Sequence, residues 1–244
     1  MKRILTPLLT ALCLLNGLSA HAHGIWFAER SGEFAMIYGH GSEDSNMVKR
    51  QRLVTSIAAY DFDGKAIPTA LKATDLLLLV DMQNRPPIVA ATLDNGYWTK
   101  GPDNKWVGKP KNEVPGAQES GQYVKYAVAL RRLPDQGLPL IPGHALQIQP
   151  VDKPFPERMG DALRLRVLFD GKPAAGAKVT TDYVNDPDAK PLVADADGVV
   201  TVRIRNQGLN VVTAAFESKA ADPAKADKVG HFASLSFVLK HLPE

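Results

Sequence analysis

Cysteine is nearly absent from this chain. The one thiol, Cys13, falls within the first 22 of 244 residues. That opening stretch reads as a secretory leader. Lys2 and Arg3 give a positive start, Leu8 to Leu18 an apolar middle, and Ala20-His21-Ala22 a small-x-small cleavage site. Leu12 stands where a lipoprotein signal wants a small residue before its cysteine, so no lipid anchor is expected. Once the leader is removed, no cysteine remains. Disulfides, thiolate metal sites and a cysteine nucleophile are then excluded. Any transition-metal site must use nitrogen, oxygen or thioether donors.

Long apolar runs are also missing. The leader's run is too short to stay in a bilayer, which takes about 20 residues. The run "LLLLV" at Leu76 to Val80 suits a buried strand. Charge of either sign is weak. The formal +3 includes Lys2 and Arg3, and without them 27 basic residues face 26 acidic ones. Such a balance is no nucleic-acid footprint. There is no Gly-rich phosphate loop and no nucleophile elbow. "DADG" at Asp195 to Gly198 has the start of a calcium loop but lacks the later glutamate, so it reads as a hairpin turn.

What the chain has is strand language. "EFAMIYGHG" alternates and stops at glycine. "RLVTSIAAYDFDGKAI" places two apolar runs around Asp63-Gly64. "DLLLLVDM" and "PPIVAATLDNGYWTK" follow, the second carrying Asn95-Gly96, a hairpin signal. The stretch from Gln118 to Leu133 fits a helix or a strand and is read as a strand. Trp98 and Trp106 bracket a further hairpin, or form with Tyr97 and nearby lysines an aromatic platform. Prolines then cluster around "PLIPGHALQIQPVDKPFP". Beyond them, Leu163, Leu165, Val167 and Phe169 alternate into an Asp-Gly turn. "LVADADGVVTVRIRNQGLNVVTAAFE" and "HFASLSFVLK" repeat the form, separated by a polar loop at Ser218 to Gly230. The expected class is all-β with two β-sandwich-like domains, residues 23–152 and 153–244. The C-terminal one is immunoglobulin-like or transthyretin-like.

Histidines are the candidate metal ligands. Cleavage after Ala22 would make His23 the N-terminus, and its amine and ring could chelate one ion together. A second imidazole would complete a three-nitrogen set suited to copper. Cleavage after Ala20 would instead leave His21-Ala22-His23, whose amine, two amides and ring suit a square-planar Cu(II) or Ni(II) site. His40 ends a strand between two glycines, about 17 residues from the mature start, and could meet His23 across adjacent strands. His144, at the proline-rich junction, and His231, opening the last strand, could reach a site between domains. Glu43, Asp44 and Met47 are secondary donors. His241 is expected to be solvated. Each residue also has a structural reading, as a turn or core side chain.

Taken together, "HAHGIWF", "YGHG", "ALQIQPVDKPF", "GDALRLRVLFDGKPAAGAKV", "ADADGVVTVRI" and "HFASLSFVL" resemble the periplasmic nickel/cobalt transport component family. The resemblance covers nearly the whole mature chain. It implies a periplasmic, non-enzymatic protein that binds Ni(II) or Co(II) for a membrane metal transporter. It makes His23 and His40 the leading ligands and Trp26 a packing residue beside them. Cu(II) binding, a histidine-brace copper oxidase and a metal-free interaction module are the alternatives.

Overall fold

The computed structural model describes residues 23–135 and 137–239. The leader, its cleavage site, His21 and His241 lie outside the described residues. Among the described residues seventeen strands follow one another. The first nine are β1 (Gly24–Arg30), β2 (Glu33–Gly39), β3 (Val54–Tyr60), β4 (Ala66–Ile67), β5 (Thr69–Ala73), β6 (Leu78–Met82), β7 (Ile88–Lys100), β8 (Trp106–Val107) and β9 (Glu119–Leu130). The rest are β10 (Leu146–Pro150), β11 (Ala162–Phe169), β12 (Lys172–Pro173), β13 (Lys178–Thr180), β14 (Leu192–Val193), β15 (Val199–Arg203), β16 (Leu209–Lys219) and β17 (Lys228–Val238). Among the described residues no helix is long and apolar enough to cross a membrane.

The strands form three sheets in a sandwich-like stack. The largest runs β14-β13-β16-β17-β9-β7-β3-β4, with β8 hydrogen-bonded to β7. A second sheet, β1-β2-β6-β5, covers one face of it, and a third, β10-β11-β12 with β15, covers the other. Period-two alternation assigns the faces. Tyr126, Val128 and Leu130 of β9 join Leu235 and Phe237 of β17 in a core with Leu146, Ile148, Leu163, Leu165 and Val167. Ala127 and Ala129, on the opposite face of β9, pack with Ile25, Phe27 and Met36 of the second sheet. Two sandwich packings therefore share the large sheet as a common layer.

The expected division at 152/153 is a break in the sequence pattern but not in the sheets. β10 and β11 pair antiparallel across it. β9 and β17 pair in parallel, Gly121↔Lys228... through Leu130↔Phe237. The proline cluster marks a loop inside the stack. Asn95-Gly96 also plays a different part from the hairpin its composition suggests. β7 continues through it beside β9, with a register shift between Asp94 and Tyr97. Gly96 takes φ +72° there, so the pair makes a bulge and not a chain reversal. The reversal comes later, where Lys100 pairs with Trp106.

β1 explains its own composition. "GIWFA" is a continuous apolar run, and both its faces are buried. Ile25 and Phe27 face the second core, while Trp26 and Ala28 pack with Tyr183 and Val211. The Ser234 hydroxyl of β17 donates to the Ile25 carbonyl at 2.6 Å. The large sheet thus holds the β1–β2 ribbon from two sides.

Phe237 is 1% exposed and meets Phe155 edge-on, ring centres 5.0 Å apart. Phe237→Ala should cost about 3–5 kcal/mol, as for other buried aromatic truncations. Urea denaturation followed by tryptophan fluorescence measures it.

Candidate functional site

A two-residue turn sets the site's geometry. Ser31 and Gly32 both have positive φ (53° and 80°), as a type I′ hairpin requires. Pairing counts outward from that turn, from Arg30↔Glu33 to Gly24↔Gly39. His23 and His40 come next, one at each strand end. Their ring centres lie 6.5 Å apart at 69°. His23 also stacks on Tyr38, at 5.3 Å and 9°, and the Arg50 guanidinium lies 4.2 Å from that tyrosine's ring centre. Burial first, then the positive charges of Lys125 and Arg50, hold the His23 pKa below its ordinary value. The imidazole is therefore neutral at neutral pH, with a lone pair to offer.

Tyr183 ties the site together from the far half of the chain. Its hydroxyl accepts from the Gly24 N–H at 2.9 Å and donates to the Gly39 carbonyl at 3.2 Å. It also lies 3.5 Å from His40 Nδ1. Burial pushes the phenol up to about 12, so it stays protonated. Trp26 and Phe232 pack edge-on against its ring, at 5.8 and 5.3 Å. Trp26 thus acts on the site through Tyr183. This packing leaves no room for a side chain at position 24. A Cβ there would lie 2.7 Å from Phe232 and 3.0 Å from Tyr183. On the other edge of His40, Asp188 Oδ1 lies 3.1 Å from Nε2. A carboxylate on one imidazole nitrogen orients the ring and raises the basicity of the other.

Two cavities flank the pair. A cleft of about 720 Å³ is lined by His23, Tyr38, Arg50, Tyr97, Trp98 and Trp106, so the tryptophans that bracket the hairpin also face His23. A second cavity of about 500 Å³ is lined by His40, Tyr183, Lys125, Lys178 and His231, among others.

The remaining candidates are placed differently. His231 spends both ring nitrogens, on the Tyr126 hydroxyl (3.2 Å) and the Ser218 hydroxyl (2.9 Å). His144 packs on the other side of that cluster, its ring centre 5.2 Å from Tyr126. The structure gathers both around Tyr126. Ring packing on Tyr126 holds both there, with the two hydrogen bonds for His231, and burial lowers both pKa values, that of His144 to about 4. Met47 is a core residue at 2% exposure, while Glu43 and Asp44 are exposed.

The donor set bears directly on a metal. Among the described residues no three His, Asp or Glu side chains converge on one point. Two imidazoles do approach. Bound to one ion at about 2 Å each, their ring centres would stand about 6.4 Å apart if trans and about 5 Å apart at a tetrahedral angle, so the observed 6.5 Å matches only the trans arrangement. Side chains therefore supply two nitrogens, and a third would come from the His23 amine if the chain is cut before it. Such a set fits a nitrogen-preferring divalent ion.

Tyr183, Asp188 and Lys125 were not legible as site residues. Tyr183 sits in "TTDYVND", a loop with no periodicity to aim it. Lys125 did leave a signal, because it shares its strand phase with Ala127 and Ala129, both buried.

Tyr183→Phe keeps the ring packing but leaves the Gly24 N–H and Gly39 carbonyl unpaired. It should cost about 1–3 kcal/mol in chemical denaturation. His144 predicts a pH dependence. Its folded pKa of about 4 lies below the unfolded value of about 6.5. The unfolded chain therefore takes up the proton first. Stability is intact above about pH 6.5 and falls toward pH 4, by up to about 3 kcal/mol. His144→Gln should flatten the melting-temperature profile in that window.

Comparison with known proteins gives a family without an assigned activity. A curated protein of Haemophilus influenzae, described as uncharacterized, is 28% identical over 234 residues, covering 92% of this chain and 94% of its own length. Residues 20–218 match the family described as a domain of unknown function, DUF4198. The match spans most of the chain, including β1, β2, His40, Lys125 and Tyr183. The chain belongs to the DUF4198 family.

Proposed function

We propose that this is an exported metal-binding protein that holds a divalent transition-metal ion between His23 and His40. The ion is cargo, Ni(II) or Co(II), passed on to a membrane transporter in the periplasm. Cu(II) is the competing ion. The observation that carries this reading is the placement of two imidazoles across one strand end, 6.5 Å apart. The leader sequence supports export, and the resemblance described above supports the choice of metals.

Each neighbour has a part. Burial and nearby cations keep the His23 ring neutral, as a metal ligand must be. Asp188 orients His40 through Nε2, which leaves Nδ1, only 3.5 Å from the Tyr183 hydroxyl, as the nitrogen that would take the ion in place of that long contact. Tyr183 also anchors the Gly24 amide, so the residue that carries the His23 ring and amine enters β1 at one angle. That pre-orientation lowers the ordering cost of binding.

Isothermal titration of the chain starting at His23 should show about one equivalent of Ni(II), Co(II) or Cu(II). His40→Ala and a chain with residues added ahead of His23 should each bind at least about tenfold more weakly. Identical titrations for the extended chain would remove the amine from the donor set. Identical titrations for His40→Ala would sink the site.

A second reading rests on the cleft of about 720 Å³ where Trp98, Trp106 and Tyr97 face His23. It makes the site a copper oxidase acting on a substrate laid over those rings. Reductant-dependent oxidation of a substrate by copper-loaded protein, lost in Trp98→Ala, distinguishes it from a carrier.

A further inference from the structure

Lys125 is the least comfortable residue in the molecule. It lies in the middle of β9 and is 1% exposed. Among the described residues its side chain has no ion pair and no hydrogen bond. Nζ lies 5.6 Å from the centre of the Phe232 ring. A buried ammonium without a counter-charge is destabilising unless something compensates it. Glu217, the carboxylate lining the same cavity, is engaged with Lys228 at 2.8 Å.

The cavity beside Lys125 explains the cost. Its floor is β9, β17, β16 and β13, through Lys125, Phe232, Thr213 and Thr180. The loop carrying Pro187, Ala189 and Pro191 forms another wall, and His40 and Tyr183 close one end. At about 500 Å³ it has the size of a small-molecule site. Its chemistry is selective. Ala215 and Phe232 offer apolar surface, Thr180 and Thr213 offer hydroxyls, and the one fully buried charge is positive.

We propose that this cavity binds a small organic carboxylate, whose anionic head pairs with Lys125 Nζ and whose carbon skeleton lies on Phe232 and Ala215. One buried positive charge matches one carboxylate. A phosphate, with about −1.5 to −2 charge at neutral pH, exceeds the one buried charge, and Lys178 is the other cation on the cavity lining. Burial also holds the Lys125 pKa at about 8, so the side chain is still mostly protonated at neutral pH and ready to pair. The apolar walls favour an organic acid over an inorganic anion. The proposal needs neither His23 nor a bound ion, although His40 and Tyr183 border both sites.

The test uses the full mature protein stripped of metal with a chelator and dialysed. Thermal shift and titration calorimetry are run with sodium acetate, butyrate, benzoate and citrate, and with inorganic phosphate and chloride at matched ionic strength. At least one carboxylate should bind with about one equivalent and raise the melting temperature, since a ligand of the native state stabilises it. Lys125→Met should lose that shift and bind about 10- to 100-fold more weakly. Unliganded Lys125→Met should melt at or above the wild type, because it removes a buried charge. Lys125→Gln serves as the second variant. No carboxylate shift in the wild type, an equal shift in Lys125→Met and Lys125→Gln, or a phosphate shift matching the carboxylates would overturn the proposal. Metal titrations of the same wild-type sample test the His23–His40 site separately.

Discussion

The parallel pairing of β9 with β17 is the contact on which the rest of the structure depends. It joins residues 121–130 to residues 228–237, so more than a hundred positions separate its partners. Through it, β16 and β13 join β7 and β3 in one sheet. That sheet provides a floor for two covering sheets, one on each face. Without the pairing, β1 would lose Ser234 and Phe232, and Tyr183 would have no route to Gly24 or Gly39.

The site is a product of that closure. One part is local, because the Ser31-Gly32 turn alone sets His23 opposite His40. The other part is long-range, because Tyr183 and Asp188 arrive from more than 140 residues away. The local part gives the two rings their spacing, and the long-range part gives one of them its orientation. Lys125 belongs to neither. It shows a sheet face that is apolar along most of its length yet carries one charge where a cavity opens.

The sequence disclosed this architecture unevenly. Leu163, Leu165 and Val167 announced a strand because one face is buried and the other solvated. "GIWFA" gave a weaker message, since a strand buried on both faces loses the alternation that marks it. The proline run before Pro156 resembled a domain boundary because local composition cannot report hydrogen bonds made across it, and β10 and β11 make them. Asn95-Gly96 resembled a hairpin because a positive-φ glycine serves bulges and turns alike. For the site, turn arithmetic could bring His23 to His40. No spacing rule could supply Tyr183, whose role depends on where a loop between β13 and β14 lands after three sheets have packed.

The bond from Tyr183 to the Gly24 amide has a consequence for timing. A chain that emerges N-terminus first presents His23 and His40 long before residue 183 or β17 has emerged. Until then the ribbon has no floor beneath it and His40 has neither of its orienting partners. The orientation of His40 is thereby deferred to the finished molecule, and the fold itself acts as the safety catch.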